Sequence, residues 1–139
     1  MLQKHTPENT DIDAAAAWLG TFGDALADRD ATAAARLFRE DGHWRDVLAF
    51  TWHIETVSGR HAVEDKLRRV LDATKPSTFR LAEGRTPPRR VTRASVETIE
   101  AIFEFRTAYG VGGGVLRLTP DPSDGTVQAW TLLTSLEQL

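Results

Sequence analysis

The chain of 139 residues contains no cysteine, which excludes disulfides, thiolate metal sites and a cysteine nucleophile. It has no excess of basic residues: 17 lysines and arginines stand against 20 aspartates and glutamates, for a net charge of −3. Neutralising phosphates takes a basic face, so nucleic acid is not an expected partner. No apolar run reaches the length of a membrane span, and no membrane partner is expected. The opening MLQKHTPENTDID has no apolar signal core, which makes the cytoplasm the expected location. The four histidines show neither HxH nor HExxH spacing, so no metal site is expected. No GxSxG elbow is present. No GxGxxG follows a strand, and no cofactor is expected.

What is present suits one domain with one core and room for a cleft. Residues 1–11 read as a disordered lead-in, and residues 12–139 as a single domain. From Ile12 the residues Ala15, Ala16, Leu19, Phe22, Ala25 and Leu26 recur at helical spacing, with Asp11 placed to cap the helix. Asp30 can cap a second, alanine-rich helix ending at Leu37 and Phe38. β-Branched and aromatic residues then take over at 43–56, predicting two strands that break near Leu48 and Ala49. Ser58 is placed to cap a third helix, which carries Val63, Leu67, Val70 and Leu71 on one face and stops at Pro76. STFRLAE reads as a strand. GRTPPRRVTR reads as a solvated connector, with an anion site as its alternative. From Ser95 onward strands dominate. Ile99, Ala101, Phe103 and Phe105 alternate with Glu100, Glu104 and Arg106, as in a sheet with one buried face. AYGVGGG reads as a hairpin or bulge. VLRLTP and TVQAWTLLTSL are the last strands, joined by the turn DPSDG. Helices before a mainly antiparallel sheet make an α+β domain. A curved sheet wrapped on three helices forms a cone, whose open end suits a ligand.

The stretch DGHWRDVLAFTWHIETVSG, residues 41–59, sets one carboxylate, Asp46, among Trp44, Phe50 and Trp52. Trp44 and Asp46 share a strand face. An aromatic wall strips water from a carboxylate, and a desolvated carboxylate takes up a proton more readily, which suits a general base. The alternatives open to Asp46 are an ion pair with Arg45 and a turn cap. His43 and His53 are further acid–base candidates, His53 as a proton shuttle for Asp46. Trp130 is expected on one face with Leu132 and Thr134. Phe22, Trp44, Phe50, Trp52, Phe103, Phe105 and Trp130 would line the pocket, and core packing is the alternative for each tryptophan.

The element order, with LFREDGHWRD at 37–46, resembles the NTF2-like superfamily, which includes ketosteroid isomerase, scytalone dehydratase, SnoaL-type polyketide cyclases and limonene epoxide hydrolase. The resemblance runs from about Ile12 to Leu136. It implies that Asp46 stands where the isomerase keeps its general base. It also implies that Phe22 and Gly114 stand where the isomerase keeps its two oxyanion donors, which argues against a steroid isomerase of that kind. Such relatives pair through the outer face of the sheet, so a homodimer is expected, its face carrying Glu100, Ile102, Glu104 and Arg106. The wording DGHWRDVLAFTW, followed by FEFRT and GVGGGVLRL, is similar to the NTF2-like domain that precedes the flavin-binding domains of bacterial flavin-containing monooxygenase-like proteins.

Two functions follow as expectations. The first is a small hydrophobic-pocket enzyme acting on a cyclic or polyketide- or terpenoid-like molecule by cofactor-free acid–base chemistry, as an isomerase, dehydratase, cyclase or epoxide hydrolase. The second is a non-catalytic binding or dimerisation module related to the monooxygenase N-terminal domain. Acid–base partners around Asp46 favour the first, and a closed cone favours the second.

Overall fold

The computed structural model describes residues 7–121, 124 and 126–139. Met1 to Thr6, and Pro122, Ser123 and Gly125 of the expected DPSDG turn, lie outside the described residues.

Helix α1 spans Pro7–Ala27. It starts earlier than its periodicity predicts, because Pro7 opens it and a proline is well tolerated at a first helical position. Asp11 is consequently no cap. It lies inside the helix, buried, and pairs with Arg90 at 2.8 Å. The buried stripe is Ala15, Trp18, Leu19, Phe22, Ala25 and Leu26, which adds Trp18 to the expected set and leaves Ala16 in solvent. Trp18 Nε1 donates to Leu37 O at 3.0 Å. Helix α2, Ala31–Ala35, is capped by Asp30, which accepts from the Ala33 N–H. Leu37 and Phe38 do not end this helix, since Phe38 already opens strand β1, Phe38–Val47.

Strand β2, Ile54–Ser58, returns antiparallel to β1. Helix α3 spans Arg60–Thr74, with Gly59 and not Ser58 at its N-cap. Ser58 is still in the strand, and its hydroxyl meets His43 Nδ1 at 2.8 Å. Lys75 closes the helix in the left-handed region with φ 48°, and Pro76 prevents continuation. Strands β3 (Ser77–Leu81), β4 (Arg89–Arg93), β5 (Val96–Thr107), β6 (Gly110–Pro120) and β7 (Val127–Gln138) complete the fold.

The described strands form one mixed sheet in the order β2-β1-β7-β6-β5-β3, with β4 also on β5. Only the β1–β7 pairing is parallel among those described. Register shifts in β1, in β3 and between β6 and β7 bend a sheet in the way bulges do. Helix α1 packs on β3 and β4, and α3 on β1 and β2. The result is the expected α+β architecture, a curved sheet wrapped on three helices.

The expected hairpin turns at Ala108 and Tyr109, between the paired Thr107 and Gly110, and the glycines that follow are strand. Gly112 and Gly114 sit within β6, opposite Phe105 and Phe103. A Cβ on Gly112 would come within 2.4 Å of Phe105 Cζ, and one on Gly114 within 1.8 Å of Leu133 O. The glycines therefore leave the space that the two phenylalanine rings fill. Three of the four arginines of the 84–93 connector are engaged by carboxylates: Arg89 and Arg93 by Glu100, and Arg90 by Asp11 and Glu97. No described helix is long and apolar enough to cross a membrane.

Candidate functional site

Strand β1 brings Trp44 and Asp46 to the inner face, both fully buried. Asp46 is the best-supplied acceptor in the interior. Its Oδ2 takes the Phe50 N–H at 2.9 Å, the Thr51 N–H at 3.0 Å and the Thr51 hydroxyl at 3.4 Å. Its Oδ1 takes the Thr134 hydroxyl at 2.6 Å, and Thr134 Oγ1 accepts from Trp44 Nε1 at 2.9 Å. The carboxylate is therefore what shapes the 48–53 loop. Two successive backbone N–H groups would be orphaned beneath that loop without an acceptor, and a buried orphan is costly. Of the alternatives for Asp46, the turn cap is the one observed. Arg45 points to the other face and donates to Thr56 at 3.2 Å.

Five of the seven expected wall residues come together. Trp44 meets Phe50 edge-on at 4.9 Å, Phe50 meets Phe105 at 5.6 Å, and Phe105 stacks on Phe79 at 5.0 Å. Phe103 joins Phe105 at 5.9 Å. Phe79 meets Phe22 at 5.4 Å, and Phe22 stacks on Trp18 at 4.8 Å. The rings form a continuous chain from Trp44 to Trp18. Phe22 and Gly114, at the two oxyanion-donor positions the resemblance implies, are both built into this packing. Phe22 lies among three rings, and Gly114 lies under Phe103.

Two wall residues and the shuttle fall elsewhere. Trp52 is 56% exposed and rests on Tyr109 at 4.8 Å, because the 48–53 loop turns its side chain outward. Trp130 does not share a face with Leu132 and Thr134. The register passes from Leu118↔Ala129 to Arg117↔Thr131, so Trp130 is the extra residue of a bulge, half-buried beside the outer row. His53 is exposed while Asp46 is buried. The loop uses the backbone carbonyl of His53, which accepts from Leu48 N–H and the Thr51 hydroxyl. Among the described residues no group of three or more His, Asp or Glu side chains gathers around one point as an ion site.

One residue of this region escapes a periodicity reading. Lys66 lies on the buried stripe of α3 between Val63 and Val70, and is fully buried. Its Nζ stands 4.4 Å from the Trp44 ring centroid, and among the described residues it is the buried side-chain polar atom without a hydrogen-bond partner. Burial pulls its pKa below the ordinary lysine value, Asp46 and Glu55 oppose that shift, and Arg69 adds to it. The available signal was a lysine at i+3 from Val63 in an otherwise apolar stripe.

The outer face has its own order. Arg45, Leu133, Val115 and Ile102 stand side by side across β1, β7, β6 and β5. Beside this row a groove of about 300 Å³ is lined by His43, Arg45, Thr56, Val115, Arg117, Thr131, Leu132 and Leu133. Glu100 accepts from Arg93 and from Arg117, a residue of the groove's lining. Burial alone would raise the Glu100 pKa, but the two guanidinium groups outweigh it and hold the carboxyl below its usual range.

No family model matches the chain by sequence, and no curated protein does. Solved structures match along nearly its whole length. One is an NTF2-like protein with a cystatin-like fold from Novosphingobium aromaticivorans, with 16% identity, a TM-score of 0.58, and coverage of 91% of this chain and 82% of that one. Another is a candidate calcium/calmodulin dependent protein kinase II association domain from Xanthomonas campestris, with 14% identity, a TM-score of 0.62, and coverage of 99% and 95%. A third is a candidate dehydratase of the NTF2-like family from Streptomyces avermitilis, with 16% identity, a TM-score of 0.62, and coverage of 96% and 100%. At these identities the likeness is one of fold: the chain has the fold of the NTF2-like proteins.

Proposed function

We propose that this domain is a non-catalytic NTF2-like binding and dimerisation module, which pairs with a second copy through the outer face of its sheet. What carries the reading is the contrast between the two faces. On the inner face the Asp46 carboxylate is fully buried and holds its own loop and Thr134, so it faces no open pocket from which a substrate could give it a proton. On the outer face the half-buried side chains of Leu133, Val115 and Ile102 form an apolar row across three strands. Arg45, Arg117 and Glu100 surround it. An apolar centre with a charged rim is the composition of a protein interface. One neighbour in fold is described as an association domain, which is consistent with that use of the fold. The relationship to the N-terminal domain of flavin-containing monooxygenase-like proteins rests on DGHWRDVLAFTW and FEFRT. Sedimentation velocity tests the pairing, with Leu133→Glu as the disrupting variant.

A second reading, the small hydrophobic-pocket enzyme, is favoured by one observation. The buried carboxylate of Asp46 acts through space on a second buried ionisable group, Lys66. A neighbour in fold is described as a candidate dehydratase. In this reading Asp46 is the general base, with Phe22, Trp44, Phe50, Phe103 and Phe105 as the binding wall. The 48–53 loop must then open before any substrate reaches Asp46. Turnover of a cyclic substrate by the wild-type protein, lost in Asp46→Asn with the fold intact, would replace the module reading with this one.

A further inference from the structure

Helix α3 turns one charged side chain into the interior. Val63, Lys66, Leu67, Val70, Leu71 and Thr74 form its buried stripe, so packing the helix against the sheet necessarily buries the lysine. Its ammonium faces the Trp44 ring and has no hydrogen-bond acceptor. An ammonium taken out of water without an acceptor is strongly unfavourable. Asp46 does not relieve it by a hydrogen bond: the donors on its oxygens come from Phe50, Thr51 and Thr134. A methionine would fill the same space at no such cost. A buried, unsatisfied donor against an aromatic face is what a ligand-anchoring group looks like before its ligand binds.

The surrounding charges narrow the ligand. Asp46 and Glu55 both act on Lys66 from nearby. An anion entering here would be repelled by two carboxylates, whereas a neutral oxygen acceptor carries no net charge for them to repel. The walls are aromatic: Trp44, with Phe50 edge-on to it and Phe105 beyond. Phe50, which packs on Trp44, belongs to the 48–53 loop. This loop lies outside the regular strands. It is tied down by Asp46, by Leu48 N–H to His53 O, and by the Thr74 hydroxyl to Phe50 O. Leu48 takes a φ of 65°, a left-handed conformation that is unfavourable for leucine.

We propose that Lys66 anchors a small neutral aromatic or alicyclic molecule through an oxygen acceptor, with the ligand taking the place of the Phe50 ring on Trp44. This goes beyond the module reading, which needs no interior ligand. The test is an NMR titration of the protein with three probes of similar shape: acetophenone, ethylbenzene and benzoate. The amide signals of Phe50 and Thr51 report on the loop. Acetophenone should bind at least about tenfold more tightly than the other two, the discrimination of one charged hydrogen bond. Lys66→Met should erase the preference over ethylbenzene. Equal binding of acetophenone and ethylbenzene, a preference for benzoate, or a preference that survives Lys66→Met would overturn the proposal. Silence of all three probes at millimolar concentration would overturn it too, leaving the ammonium to solvent. The comparison of the three probes on the wild-type protein decides the matter even where Lys66→Met does not fold. None of these outcomes bears on the dimer, whose test is sedimentation.

Discussion

The carboxylate of Asp46 holds the backbone of Phe50, four residues on, at 2.9 Å, and with it the adjoining N–H of Thr51 at 3.0 Å. This one side chain converts an irregular segment into a defined loop and seats the Phe50 ring against Trp44. Asp46→Asn keeps the shape but introduces an amide donor where donors already converge. Stability should fall by about 1–3 kcal/mol, the cost of a buried donor left unpaired. The Phe50 and Thr51 amide protons should exchange faster with solvent. Unchanged exchange at both positions would show that the loop does not depend on Asp46.

Gly112 and Gly114 are defined by what stands over them. A methyl group at Gly112 enters the Phe105 ring. Gly112→Ala should therefore destabilise the protein by about 1–3 kcal/mol through overpacking. In a Phe105→Leu background the cost should be smaller, because the contact is removed. A double-mutant cycle read by denaturant unfolding measures the coupling, and an additive result would separate the two positions.

Lys66 makes a pH-dependent contribution whose sign is fixed by its burial. Its pKa is lowered in the folded state, so the unfolded chain holds its proton more strongly. The penalty is present in full below the folded-state pKa and fades as pH rises toward the ordinary lysine value. Lys66→Met should stabilise the protein near neutral pH, and the gap to wild type should narrow as the pH rises toward the ordinary lysine value. Chemical denaturation at a series of pH values gives the gap directly. A wild type more stable than Lys66→Met at neutral pH would mean that the ammonium is satisfied in the folded protein.

Glu100 carries the opposite sign. Its pKa is depressed in the folded state by Arg93 and Arg117 against the effect of burial. Its contribution is present above the ordinary carboxylate pKa and is lost as pH falls through the folded value. Glu100→Gln should cost about 1 kcal/mol at neutral pH, kept small by the exposure of its arginine partners. The difference should shrink under acid conditions. Equal wild-type and variant stability at neutral pH would show that the cluster contributes nothing.

Much of this fold is legible in the sequence because the periods are clear. Ile99, Ala101, Phe103 and Phe105 alternate in the sequence and are buried in the structure. Val63, Leu67, Val70 and Leu71 recur at helical spacing and face the core. What escapes is set by tertiary context. Trp130 leaves the inner row because a bulge shifts its strand by one residue, and no local pattern encodes that bulge. The glycines of β6 suggest a turn, yet they are strand residues that make room for rings contributed by β5. Trp52 is as aromatic as Trp44, but the Asp46-held loop turns it outward. Lys66 is hidden by its charge, since a lysine in a helix is expected to be in solvent.

The most direct measurement of the central claim is sedimentation velocity at micromolar concentration, on the wild type and on Leu133→Glu. Leu133 stands at the centre of the outer row, half-buried and paired across the strands with Arg45 and Val115. A glutamate there leaves the inner core untouched. The account predicts a dimer for the wild type and a monomer with an unchanged circular dichroism spectrum for Leu133→Glu. A wild type that sediments as a monomer throughout the micromolar range, or a Leu133→Glu variant that remains dimeric, would contradict it.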